Sequence, residues 1–116
     1  MNLLFISPPM DYSVVKKEYS FEAYMPPLGL LYLASPLEKK GHKVKVIDFI
    51  AEKYSDSKLK EELSKVDVVG ITITSQVASS AKKIVDTIKN FYPKKIVIIG
   101  GPHCTFLKRR SLLDVP

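Results

Sequence analysis

The chain has one cysteine, two histidines and no apolar run near the roughly 20 residues that a membrane-spanning helix needs. The single thiol, Cys104, excludes an internal disulfide and fits a reducing cytoplasm. Cysteine and histidine together do not reach a metal-ligand count. No Gly-x-Gly-x-x-Gly follows the first apolar run and no Gly-Lys-Ser/Thr occurs, so the dinucleotide and P-loop readings lack their glycines. No acidic pair follows that run, which argues against a phospho-acceptor receiver domain. No spacing of Ser, His and Asp suggests a hydrolase. The opening residues, Met1-Asn2-Leu3-Leu4-Phe5-Ile6, lack the basic leader and cleavage site of a signal peptide. These absences leave a binding surface with no catalytic apparatus of its own.

What is present describes one ordinary globular domain: 116 residues, 46% hydrophobic and 26% charged. The net charge is +6, which raises nucleic acid, anionic ligands and membrane surfaces as partners. The lysines, however, are scattered, and only Lys108-Arg109-Arg110 forms a cluster. No aromatic residues interleave with it as a single-strand binding face requires. The basic residues therefore read as solvated helix and strand ends, with no nucleic-acid or membrane partner.

Residues 2–6 read as a short buried strand that ends at Ser7-Pro8-Pro9-Met10, because two prolines cannot continue a central strand. Residues 10–26 form a long connection with apolar mass from Tyr12, Tyr19, Phe21, Tyr24 and Met25, and connections this long are often functional. Pro26-Pro27-Leu28-Gly29 opens a helix whose inner face is Leu30, Leu31, Ala34 and Leu37, widened by Leu33. Gly41 closes it. Pro36 lies inside that helix and predicts a kink between Tyr32 and Pro36. Residues 43–48 alternate strictly, as an edge strand does. A helix over 56–64 follows, capped by Asp56 or Ser57. Residues 67–74 read as a buried strand, and Ser75 as the cap of a helix over 76–91 that Pro93 stops. Residues 95–99 read as a strand buried on both faces, followed by a short helix from about Thr105 to Leu113.

Strict alternation of strand and helix predicts an α/β, Rossmann-like (flavodoxin-like) three-layer α/β/α domain with a parallel sheet in the order 2-1-3-4. That order puts 95–99 at an edge although it is too apolar for one. A fifth strand is therefore expected after Pro116, in a longer protein of which residues 1–116 are the N-terminal part. An edge left open would pair with a second copy, as a homodimer.

In such a sheet three segments meet beyond the carboxyl ends of the strands, where ligands bind. They are Ser7-Pro8-Pro9-Met10, Thr74-Ser75-Gln76 and Gly100-Gly101-Pro102-His103. Thr74 and Ser75 are either helix caps or ligand contacts. Gly100 and Gly101 mark either a plain turn or a close approach of backbone to a ligand, and a side chain at Gly101 would obstruct that approach. His103 is either an ordinary loop residue or a contact. His42 lies at the opposite end and is structural, Cys104 reads as packed, and Asp48 either holds a ribose or is solvated.

Met25-Pro26-Pro27-Leu28-Gly29-Leu30-Leu31-Tyr32-Leu33-Ala34, Lys40-Gly41-His42-Lys43-Val44 with Ile47-Asp48, Asp67-Val68-Val69-Gly70-Ile71-Thr72, and Ile99-Gly100-Gly101-Pro102-His103 with Thr105-Phe106 occur in order. Together they resemble the N-terminal cobalamin-binding domain of cobalamin-dependent radical SAM proteins, a group that includes methyltransferases and magnesium-protoporphyrin ester cyclases. The resemblance implies that the strand ends hold the corrin and its nucleotide tail through the three segments above. It implies a non-catalytic module that presents cobalamin to a downstream radical SAM domain, where the 4Fe-4S cluster and S-adenosylmethionine would reside. Two features depart from the pattern. The Asp-x-His-x-x-Gly that supplies a cobalt-ligating histidine in many cobalamin domains is replaced by Ser7-Pro8-Pro9-Met10-Asp11-Tyr12, so no imidazole ligand is expected from this loop. The Cys-x-x-x-Cys-x-x-Cys triad is absent. Two other readings compete: a nucleotide or nucleotide-sugar-binding half-domain of a two-domain transferase, and a docking or dimerisation domain with a vestigial site.

Overall fold

The computed structural model describes residues 1–10 and 27–107. The long connection after Met10, the Lys108-Arg109-Arg110 cluster and the end of the last predicted helix lie outside them. The strands are β1 (Asn2–Ser7), β2 (Lys43–Asp48), β3 (Val68–Thr72) and β4 (Ile96–Gly100). They form one all-parallel sheet in the order β2-β1-β3-β4, as the alternating pattern predicts. The helices are α1 (Leu28–Lys39), α2 (Asp56–Leu63), α3 (Ala78–Phe91) and α4 (Pro102–Leu107).

Side chains alternate across a strand, so the sheet has two distinct faces. On one, Leu4, Ile6, Val69, Ile71 and Ile73 pack with Leu59 and Leu63 of α2 and with Ala81, Ile84, Val85 and Ile88 of α3. The spacing of that α3 stripe is the 3.6-residue period that reveals the helix in the sequence. On the other face, Phe5 packs with Leu30 and Ala34 of α1, flanked by Leu37, Val44 and Val46. The Rossmann-like three-layer arrangement follows from these two clusters.

Several local expectations change, but helix α1 remains a single helix through Pro36, as expected. Tyr32 and Pro36 are both exposed, so water can satisfy the Tyr32 carbonyl that a proline at 36 cannot serve. Only Leu30 and Ala34 of α1 are buried, while Leu31 and Leu33 of the predicted inner face are exposed. The close of α1 is as expected: Gly41 sits at φ +93°, its N–H donates to the Glu38 carbonyl and the His42 N–H to the Leu37 carbonyl. The cap of α2 is Ser55, whose hydroxyl accepts from the Lys58 N–H, and not Asp56 or Ser57. Helix α4 begins at Pro102, three residues before the expected start.

The largest correction concerns β4. It is not buried on both faces: Ile96 and Ile98 are 60% and 59% exposed. Helix α3 covers only the face that Val97 and Ile99 share, and α1 lies over the β1–β2 side of the opposite face. The β3–β4 side of that face carries no helix among the described residues.

Candidate functional site

The register aligns all four strands so that Ser7, Asp48, Thr72 and Gly100 finish at one edge of the sheet. This is the edge at which open α/β sheets hold ligands. Ser7 is buried and its carbonyl accepts the Phe49 N–H at 3.0 Å, which ties the end of β1 to the residue after β2. Pro8 is fully buried, while Pro9 and Met10 are half-buried. Asp48 accepts the Ile50 N–H on Oδ1 at 3.0 Å, a short turn that fixes its carboxylate over its own loop.

Helix α3 does not begin directly after β3. Thr74 makes no side-chain cap bond; a 3-10 turn over Ser75–Val77, closed by the Val77 N–H on the Thr74 carbonyl, comes first. Helix α3 starts only at Ala78, and Val77, the residue before it, makes no side-chain cap bond either. Thr74 and Gln76 are exposed at the edge. Thr74 therefore does not play the capping role expected of it, and its side chain is exposed at the strand-end edge.

The two glycines of the turn do different work. The Ile73 N–H donates to the Gly100 carbonyl at 2.7 Å, and the His103 N–H returns to the Ile73 carbonyl at 3.1 Å. Gly101 sits between these bonds at φ +97°. A Cβ there would lie 2.8 Å from Thr72 Oγ1 and 2.9 Å from the Ile73 carbonyl oxygen. The close approach at Gly101 is thus to the neighbouring strand of the same chain. At Gly100 a Cβ would meet nothing within 4 Å. Gly100, unlike Gly101, borders open space. His103 is 7% exposed within the first turn of α4, and Cys104 packs against the main core, as a packed cysteine would.

Gly100 also borders a groove of 450 Å³ on the uncovered sheet face. Its floor is Phe5, Gly70, Thr72 and Ile98, and Leu30 and Leu33 of α1 form one wall. Gly70 has no Cβ to interrupt the floor, so the Phe5 ring lies across it. The volume falls in the range of about 300–1,000 Å³ usual for small-molecule sites. The sequence reading named the rim of this site but not its floor. A period-two count back from Gly100 finds Ile98, and the parallel register then finds Gly70 and Phe5.

His42 is at the opposite edge, where its Nδ1 lies 3.1 Å from the Met1 amine. Among the described residues no group of three or more His, Cys, Asp or Glu could hold a metal ion. Nor is any helix among them long and apolar enough to cross a membrane.

Residues 19–115 match the family model of the B12 binding domain. The whole chain is 35% identical to 25% of an uncharacterized methyltransferase of Pyrococcus horikoshii. Over 76% of its length it is 34% identical to 20% of the cytidylyl-2-hydroxyethylphosphonate methyltransferase of Streptomyces wedmorensis. Over 78% it is 28% identical to 17% of the anaerobic magnesium-protoporphyrin IX monomethyl ester cyclase of Rubrivivax gelatinosus. The chain spans a quarter or less of these relatives.

Proposed function

The chain belongs to the family of B12-binding domains, and we propose that it holds cobalamin at the carboxyl edge of its sheet with the nucleotide tail laid along the uncovered groove. The observation that carries the reading is Gly100, whose missing side chain opens the upper end of an apolar groove to the strand-end rim. An apolar ring system entering there meets Phe5, Leu30 and Ile98, and gains by burying surface against them. Bare backbone at Gly100 lets the linking part of the tail pass close to the strand.

Each rim segment has a part in this arrangement. Thr74 and Gln76, both exposed on either side of Ser75, present a hydroxyl and an amide to the polar periphery of the corrin. Ser7, Pro8 and Pro9 form the adjoining support, held by the Ser7–Phe49 bond. Gly101, Pro102 and His103 set the shape of the turn from behind, Gly101 through its close packing on Thr72 and His103 through its N–H bond to the Ile73 carbonyl. Neither described histidine is placed to ligate cobalt: His42 is at the far edge and His103 is enclosed in α4.

Bound cobalamin supplies alkyl-transfer chemistry at cobalt, and the residues of this chain bind and orient it. We further infer that it acts within a longer polypeptide, presenting the corrinoid to a radical SAM domain that holds the 4Fe-4S cluster and S-adenosylmethionine. The small share of each relative that the chain covers supports this, as do the names of those relatives, two methyltransferases and a cyclase. Titration with hydroxocobalamin tests the binding claim. The expected result is a change in the corrin absorbance and co-elution on gel filtration; neither effect at high-micromolar cofactor overturns it.

A further inference from the structure

The amino edge of the sheet, opposite the cofactor site, collects the positive charge of the described residues. The strands begin there, and α1, α2 and α3 end there. Residues 38–45, 60–67 and 89–95, which make up these ends, carry nine lysines and four carboxylates, whereas the other described residues carry four of each. Helix carboxyl ends favour lysine, which accounts for Lys39, Lys60 and Lys89 in the last turns. Lys45 and Lys95 are engaged within the fold, by Glu62 and by the Leu63 and Val66 carbonyls. Lys43 and Lys94 are different. Both lie outside the helices, are exposed and enter no ion pair among the described residues. Like charges gathered on one edge repel, and no helix dipole calls for these two.

The same edge is concave. A cleft of 540 Å³ is lined by Val66, Phe91, Tyr92, Pro93 and Lys94. A second, of 220 Å³, is bordered by Lys43, Glu62 and Lys65 and shares Val66 with the first, so the two adjoin. Phe91 is 55% exposed, which leaves an apolar hollow open between basic rims. We propose that this strip docks an acidic peptide segment of a partner protein, with an apolar side chain in the Phe91–Pro93 cleft and carboxylates on Lys43 and Lys94. Charge complementarity selects the occupant. A second copy of this +6 chain would bring like charge to the edge. The rings argue for peptide over nucleic acid. The Lys60 ammonium lies 4.0 Å from the centre of the Phe91 ring and that of Lys95 4.4 Å from the centre of the Tyr92 ring. A base stacking on either of those faces would have to displace a lysine already held there. The surface is at the far edge from the cofactor groove and does not depend on cobalamin binding.

Fluorescence anisotropy tests it, with the full 116-residue chain and a fluorescein-labelled peptide of glutamates around one leucine, at about 0.15 M salt. The expected result is saturable binding below about 500 μM, weakened at least about threefold when serine replaces the leucine. Lys43→Glu combined with Lys94→Glu is expected to weaken it at least about tenfold. Lys53→Glu combined with Lys83→Glu makes the same change in net charge away from this edge and should leave affinity within about twofold. Circular dichroism melts verify that both double variants fold. No binding in that range, equal affinity for the two peptides, or equal loss in the two double variants overturns the proposal, the last by reducing it to attraction by net charge. A uridine oligonucleotide or phosphatidylserine vesicles that bind more tightly than the leucine peptide, and lose affinity with Lys43→Glu and Lys94→Glu, also overturn it by assigning the edge to that partner.

Discussion

The Phe5 ring lies against Gly70 so closely that a Cβ on Gly70 would stand 2.8 Å from Phe5 Cδ1 and 3.0 Å from Cε1. The two residues are on adjacent strands and face each other directly in the parallel register. The glycine gives up side-chain packing in mid-strand so that an aromatic ring can cover the backbone. Gly70→Ala is expected to destabilise the fold by about 1–2 kcal/mol, since the buried ring must shift. Phe5→Leu should make the same substitution milder. Urea unfolding of both single variants and the double variant measures that coupling.

Gly100 and Gly101 are adjacent and predict opposite outcomes. Gly101→Ala puts a side chain into a left-handed backbone position and against Thr72 and Ile73, so a loss of about 2 kcal/mol or more is expected. Gly100→Ala should change stability by no more than about 0.5 kcal/mol, because its side chain enters open space. Thermal melts of the two variants compare them directly.

Lys45 Nζ lies 2.5 Å from Glu62 Oε1. This hydrogen bond, opposed by burial, holds the Glu62 carboxyl below its ordinary value of 4.5. A depressed carboxyl stabilises the fold above the unfolded value, and that contribution is lost as pH falls through the folded one. Lys45 is 53% exposed, so solvent screens the pair and the effect is small. The advantage of the wild type over Glu62→Gln, read as a urea midpoint from about pH 7 to about pH 3, should shrink once the pH drops below 4.5.

Lys95 reaches across the amino edge of the sheet. Its ammonium donates to the Leu63 carbonyl at the end of α2 and, at 2.8 Å, to the Val66 carbonyl, and lies 4.4 Å from the centre of the Tyr92 ring. Burial holds it below the usual lysine value. Lys95→Met keeps the stem and removes both hydrogen bonds, leaving two carbonyls without this donor. A loss of about 1–3 kcal/mol is expected by chemical denaturation at neutral pH.

Hydrophobic periodicity was enough to read the strands, their order and the two-sided packing. The α3 stripe repeats every 3.6 residues and β2 alternates, and each pattern has one reading. The misread parts are those where one residue type serves two environments. Ile96 and Ile98 are as apolar as any core pair, and nothing local tells a strand buried on both faces from one that lacks a covering helix. The same limit applies to α1, whose leucines surround the helix although only Leu30 and Ala34 are buried. At the turn, the close approach lies at Gly101 alone and is to the neighbouring strand of the same chain, where the sequence pointed to a plain turn or a ligand. The direction depends on a positive φ at Gly101 and on the neighbouring strand, which only the folded register supplies.

Equilibrium dialysis of the wild type and Gly100→Val against hydroxocobalamin and against cobinamide, which lacks the nucleotide tail, tests the central claim most directly. If the tail lies along the Gly100 groove, the wild type binds hydroxocobalamin more tightly than cobinamide, and Gly100→Val removes that preference while its melting temperature is kept. Equal affinity for the two corrinoids, or a preference that survives Gly100→Val, contradicts the placement.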